Sequence, residues 1–264
     1  MKKAVLVVSF GTSYHETRRK TIDVCENKIK ESFKGYDFYR AFTSGVIINK
    51  LRKRDKMEIY NPSEVLEQLY KNGYEEVIVQ SLHIICGEEY NKLKYMVEEY
   101  KDKFKRISLG RPLLTYIYDY RETVQAVKQD LEEMDIDEAI VFMGHGTEHE
   151  SHSAYPAIEY MFRDYGMNVY VGTVEGYPEL EQVIKKLKEK NVKTVDLMPF
   201  MLVAGDHAIN DMASDEEDSW KTILEQEGFN VKVHLKGLGE NPYIQEKFKN
   251  HALDCMKESQ EVSI

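Results

Sequence analysis

Ala139-Ile140-Val141-Phe142-Met143-Gly144-His145-Gly146-Thr147 decides the fold, because its punctuation occurs earlier in the chain as Ala4-Val5-Leu6-Val7-Val8-Ser9-Phe10-Gly11-Thr12. Each is a continuous apolar run, rich in β-branched residues, that meets a Gly-Thr turn. That is the pattern of a strand buried on both faces and ended by a sharp loop. A second recurrence follows in the same order. Glu76-Val77-Ile78-Val79-Gln80-Ser81-Leu82-His83-Ile84-Ile85-Cys86-Gly87-Glu88-Glu89 matches the pattern of Lys193-Thr194-Val195-Asp196-Leu197-Met198-Pro199-Phe200-Met201-Leu202-Val203-Ala204-Gly205-Asp206-His207, with a one-residue difference at the start. Any two α/β units share some of this, but the ordered recurrence of both elements favours two related lobes.

Outward from these runs, short β-branched stretches alternate with longer amphipathic, charged ones. Strands are expected over residues 4–10, 37–42, 76–82 and 106–109, with helices over 16–33, 61–72 and 88–100. The second of these helices opens on Asn61-Pro62-Ser63-Glu64, a cap followed by an early proline. In the second half, strands are expected over 138–143, 169–174, 194–198 and 231–238. Helices are expected over 121–134, 154–165, 177–189, most of 207–227, and 244–258. The reading is an α/β fold of two similar lobes, 1–120 and 121–264, each a parallel sheet flanked by helices and facing a central cleft. Ligands of open α/β sheets bind beyond the carboxyl ends of the strands.

The 264 residues, 42% apolar and 31% charged, with 15 Gly and 6 Pro, exclude disorder, collagen-like repeats and a disulfide scaffold. A formal charge of −10 argues against a general nucleic-acid or membrane-surface binder. Three cysteines, Cys25, Cys86 and Cys255, without CxxC spacing, fit a reducing cytosol and no thiolate zinc site. The apolar run after Lys2-Lys3 ends at Ser9, too short for a signal-peptide core of about 7–15 residues. No stretch approaches the roughly 20 apolar residues of a membrane-spanning helix. A cytoplasmic protein is expected, and the sequence leaves a homo-oligomer open. Dinucleotide, P-loop and Gly-x-Ser-x-Gly fingerprints are missing.

Chemistry concentrates just after three expected strands, at His145, Glu175 and His207. Imidazole nitrogen and carboxylate oxygen suit a borderline divalent metal such as Co²⁺, Ni²⁺, Fe²⁺ or Zn²⁺. Without thiolates, such a set suits a metal that must also leave. A single histidine is more often structural; three aligned strand ends are what make a constellation. His145 stands between two glycines, where the backbone can turn sharply and a flat ligand can come close. His149 and His152 are read as a solvated loop, and the acidic run Asp211, Asp215, Glu216, Glu217 and Asp218 as a solvated helix face. Arg111, after an expected strand, is a candidate fork for a carboxylate. The basic stretch from Lys50 to Lys56 is a helix surface or a rim for an acidic ligand.

The Val-Ser-Phe-Gly-Thr-Ser start, Met143-Gly144-His145-Gly146-Thr147, Gly172-Thr173-Val174-Glu175-Gly176-Tyr177-Pro178 and the segment from Pro199 to Met212 resemble the anaerobic cobalt chelatases of cobalamin biosynthesis, a class II chelatase family. The resemblance spans nearly the whole chain. It implies two similar α/β lobes and ATP-independent insertion of Co²⁺ into sirohydrochlorin or precorrin-2. It also implies metal binding by His145, Glu175 and His207, with His145 as proton acceptor. Co²⁺ is then bound as substrate, and no permanent cofactor is expected. The first lobe offers Phe10 at the position of His145, Glu89 at that of His207, and Thr12, Ser13 and His83 as hydrogen-bonding candidates for substrate carboxylates. Other readings of the same sites are a sirohydrochlorin ferrochelatase, a nickel chelatase, or a non-catalytic tetrapyrrole or cobalt carrier.

Overall fold

The computed structural model describes residues 1–132, 134 and 138–261. The first sheet holds β1 (Lys3–Ser9), β2 (Asp37–Phe42), β3 (Glu76–Ser81) and β4 (Arg106–Gly110), in the order β2-β1-β3-β4 with every neighbour parallel. The second holds β5 (Ala139–Gly146), β6 (Val169–Glu175), β7 (Thr194–Pro199) and β8 (Asn230–Val233), in the matching order β6-β5-β7-β8, again all parallel. Register carries the repeat to single residues. Ala4 pairs with Val77 and Ala139 with Val195, the same alignment that sets Gly87 against Gly205 and Glu89 against His207.

The helices are α1 (His15–Lys20), α2 (Ile22–Ser32), α3 (Gly45–Asp55), α4 (Pro62–Lys71), α5 (Glu88–Glu99), α6 (Ile117–Glu132), α7 (Ala154–Asp164), α8 (Leu180–Glu189), α9 (Trp220–Gln226) and α10 (Pro242–Glu261). The helix expected over 16–33 is two, broken at Thr21, whose hydroxyl donates back to the Thr17 carbonyl at 2.5 Å. Such back-bonding bends or ends a helix. Helix α3 was not expected over 45–49. Val46, Ile47 and Ile48 are β-branched and hide the helical period, although Ser44 caps the helix by accepting the Ile47 N–H. At α4 the expected cap is a full capping box between Asn61 and Glu64. The helix expected over 121–134 ends at Glu132, with Glu133 outside the described residues.

Two compact units result, Met1–Thr115 with Pro242–Ile264, and Tyr116–Asn241. This differs from a division into 1–120 and 121–264 over residues 116–120 and at the last helix. Ile244, Phe248, Ala252 and Cys255 form one buried stripe of α10, which packs against α2, β3 and β4 of the first unit. Burying a large apolar side chain contributes roughly 1.5–3 kcal/mol, so such a stripe decides where a helix docks. The repeat thus exchanges its closing helices. Helix α6 follows β4 yet belongs to the second unit, and α10 follows β8 yet belongs to the first. Each unit has its own core: Leu6, Val8, Leu66, Leu69, Val79 and Leu93 in one, Val141, Met143, Val183, Leu197, Trp220 and Leu224 in the other. Among the described residues no helix is long and apolar enough to cross a membrane.

Candidate metal and proton-transfer site

The site begins with the two glycines of the β5 end. The strand runs on through Gly144, His145 and Gly146, past the 143 expected from sequence. A Cβ on Gly144 would stand 2.4 Å from the Tyr155 ring, so only glycine lets this strand lie over that tyrosine. Gly146 has φ +83°, and a Cβ there would meet the Glu175 carbonyl oxygen at 1.8 Å. Its N–H donates to the Tyr155 hydroxyl at 3.1 Å, and burial pushes that phenol up to about 12. His145 is therefore held from both sides by backbone that has no freedom to move away, while its ring stays partly exposed.

His207 arrives from the next strand. After β7 the chain runs through buried Phe200, Met201 and Leu202, and His207 then opens a single π turn, Ala208–Met212. Single π turns inside helical segments recur at functional sites. The His145 and His207 rings meet edge to face, centroids 4.9 Å apart at 89°. Each presents Nδ1 to an oxygen: His145 to the Gly146 carbonyl at 3.2 Å, His207 to Asp211 Oδ2 at 2.5 Å. A carbonyl or an ionised carboxylate only accepts, so Nδ1 carries the proton in both rings and Nε2 the lone pair. Two imidazoles, each with a basic Nε2, thus lie side by side as candidate ligands or bases.

Glu175 ends β6, directly across the ladder from Gly146, with its side chain exposed. The turn beyond it is fixed by Gly176 at φ +78° and by Thr173, whose N–H and hydroxyl both donate to the Pro178 carbonyl, at 2.7 and 2.9 Å. Among the described residues no three His, Cys, Asp or Glu side chains form a ready-made metal cage. The imidazoles come together, and the Glu175 carboxylate sits on the neighbouring strand end without closing on them.

The candidates for substrate contact belong to the first unit. Phe10 is 44% exposed at the end of β1, where an aromatic can meet a flat ligand. Thr12 is buried and accepts the Tyr14 N–H, and the carbonyl of buried Ser13 accepts from Arg54. Both serve the turn after β1. His83 Nδ1 lies 2.8 Å from the Ser81 hydroxyl; its Nε2 is buried without a hydrogen-bond partner, and burial holds the imidazole down at about 4. Partial burial pushes the Glu89 carboxyl up, but hydrogen bonds from Lys92 and Thr43 outweigh it and leave the group below the usual range. Arg111 is not an open anion fork. Both terminal nitrogens point to Asp254 Oδ2 at 3.2 Å, and only 14% of the side chain is exposed, so it ties β4 to α10. His149, read from sequence as part of a solvated loop, is half-buried and caps a short 3-10 turn by accepting the Ser151 N–H, and His152 bonds the His149 carbonyl. Asp211, read from sequence as solvated surface, instead touches His207. The signal was its i, i+4 spacing. A cavity of about 470 Å³ in the first unit is lined by Thr43, Arg52, Asn61, Glu89 and Lys92 among others, and by none of His145, Glu175 or His207.

Residues 3–257 match the family described as Cobalt chelatase (CbiK). The chain belongs to the cobalt chelatase family. This chelatase is 47% identical over 251 residues to the sirohydrochlorin cobaltochelatase of Salmonella typhimurium, covering 95% of each chain. It is 34% identical over 242 residues to sirohydrochlorin cobaltochelatase CbiKC of Nitratidesulfovibrio vulgaris, covering 90% of this chain and 85% of that one. The fold is that of SirB from Bacillus subtilis, solved with Fe³⁺, at 15% identity and TM-score 0.64 over 99% of this chain and 98% of that one. It is also that of CbiX, described as the terminal enzyme of siroheme biosynthesis in denitrifying bacteria, at 14% identity and TM-score 0.58 over 96% and 99%. The expected two-lobe α/β chelatase architecture and metal chelatase activity are borne out.

Proposed function

We propose that the protein inserts Co²⁺ into sirohydrochlorin, or its reduced form precorrin-2, without ATP, in the reducing cytosol that its three cysteines, none in a disulfide, suit. The edge-to-face imidazole pair at the strand ends of the second unit carries this reading, together with relatives named for that reaction. Insertion exchanges two pyrrole N–H protons for one divalent cation. The site therefore needs a base and ligands that release the ion. His145 Nε2 takes the two pyrrole protons in turn, passing the first to solvent water before it accepts the second; His207 Nε2 and the Glu175 carboxylate hold Co²⁺ until ring nitrogens replace them. The ion and the macrocycle are both substrates, and no resident cofactor takes part. Exposed imidazole and carboxylate bind a first-row ion reversibly, which an enclosed thiolate cage would not.

Absorbance spectra of purified protein offered sirohydrochlorin with Co²⁺, Fe²⁺ or Ni²⁺ separately test the reading. Multiple turnovers with Co²⁺ are expected. Arrest after one equivalent would make the protein a carrier, and faster turnover with Fe²⁺ or Ni²⁺ would reassign the metal.

A further inference from the structure

We propose that Asp211 is the positioning residue of His207, fixing the tautomer and direction in which that imidazole meets the incoming divalent cation. This rests on His207 being a ligand in the reading above and adds a residue to it. His207 immediately precedes the π turn and Asp211 lies within it, four residues on. At that spacing side chains share one side of a helical turn, and the Asp211 carboxylate reaches His207 Nδ1 at 2.5 Å. No other hydrogen bond or ion pair of His207 is found among the described residues, and both side chains are partly exposed, at 37% and 46%. Without that bond only the edge-to-face contact with His145 would restrain the ring, and its proton could sit on either nitrogen. A carboxylate on Nδ1 removes both freedoms and leaves the lone pair on Nε2.

The two imidazoles differ in this respect. His145 Nδ1 has a neutral backbone carbonyl at 3.2 Å, a weaker and less directional partner than an anion at 2.5 Å. His207 is the ring prepared to hold a cation, which matches a division of labour in which His145 moves protons. Carboxylate partners behind metal-binding histidines typically change metal affinity about 10–100-fold when removed.

The test uses the full chain with Co²⁺ alone and then with sirohydrochlorin. Asp211→Ala should weaken Co²⁺ binding, read from the visible absorption of the bound ion, by roughly 10–100-fold. It should raise the KM for Co²⁺ and leave the KM for sirohydrochlorin unmoved. Asp211→Asn, whose amide oxygen can still accept from Nδ1, should lose much less. Nitrogen-15 spectra of the metal-free protein, assigned with His207→Ala, should show His207 protonated on Nδ1 in the native protein and as a mixture of tautomers in Asp211→Ala. An unchanged tautomer, an unchanged Co²⁺ affinity, or equal damage from Asn and Ala would overturn the inference. His207→Ala separates the two levels. If it binds Co²⁺ as tightly as the native protein, the ligand reading itself fails. If it binds weakly while Asp211→Ala binds normally, only the role of Asp211 fails. Melting temperatures check that each partly exposed substitution leaves the fold intact.

Discussion

The end of β1 and the end of β5 are the same backbone carrying different chemistry. Gly11 and Gly146 occupy equivalent positions and both take left-handed φ, +95° and +83°. The parallel registers place Phe10 opposite His145 in the repeat, Ser44 opposite Glu175, and Glu89 opposite His207. The turn is therefore common to the fold of both units, whereas the imidazole pair, which one unit carries, answers to the proposed chemistry. The sharpest way to break this contrast is to make the second unit resemble the first. His145→Phe puts into β5 the residue that β1 already tolerates, so the fold should persist. Cobalt insertion should fall at least about 100-fold, the usual scale for losing a general base. Near-native turnover by the folded variant would remove His145 from the chemistry.

The glycines sharpen the comparison from the other side. An L-residue in left-handed backbone costs roughly 1–2 kcal/mol, a term common to Gly11→Ala and Gly146→Ala. The surroundings then separate them. A Cβ at 11 meets the Phe42 ring at 2.5 Å, a side chain that can tilt; a Cβ at 146 meets the Glu175 carbonyl at 1.8 Å, which moves only with its strand. Gly146→Ala should melt several degrees below Gly11→Ala, and should lose insertion more than stability explains, because it displaces both His145 and Glu175. Equal melting temperatures would mean that the β5–β6 ends yield as easily as one ring.

Much of this was legible in the residues, for a physical reason. Strands buried on both faces read as unbroken apolar runs, so β1, β3, β5 and β7 and their Gly turns stand out of the sequence, and strand order follows once the repeat is seen. His145, Glu175 and His207 stand out as candidates because a parallel sheet gathers whatever follows its strands at one end. Three things were not legible. Helix α10 carries its own apolar stripe, but a stripe does not state which sheet it will cover, and α10 returned to the first unit. Arg111 has the position of an anion fork, yet its partner Asp254 lies on that returning helix. The segment after His207 has helical spacing but an acidic run, Asp215 to Asp218, that separates the π turn from α9, where Ser219 caps a new start by accepting the Thr222 N–H.

The smallest expected effect concerns a polar group that the first unit keeps where the second does not. His83 on the first unit falls, in the repeat, opposite buried Met201. Burial holds the His83 imidazole down at about 4, against about 6.5 for the free side chain, so it stays neutral in the native state where the unfolded chain takes up a proton. A folded pKa below the unfolded one gives stability that is complete above pH 6.5, declines as pH falls, and levels off below pH 4. The slope is at most about 1.4 kcal/mol per pH unit, less where the ring keeps contact with water. His83→Met copies the second unit and removes the titration. Urea unfolding at pH 7.5 and at pH 5 should therefore show a smaller loss of stability on acidification in the variant than in the native chain. The comparison of the two losses cancels every other group that titrates over the same range. Identical losses would mean that the His83 ring is hydrated enough to protonate in the folded protein, and that its buried Nε2 finds water rather than a dry wall.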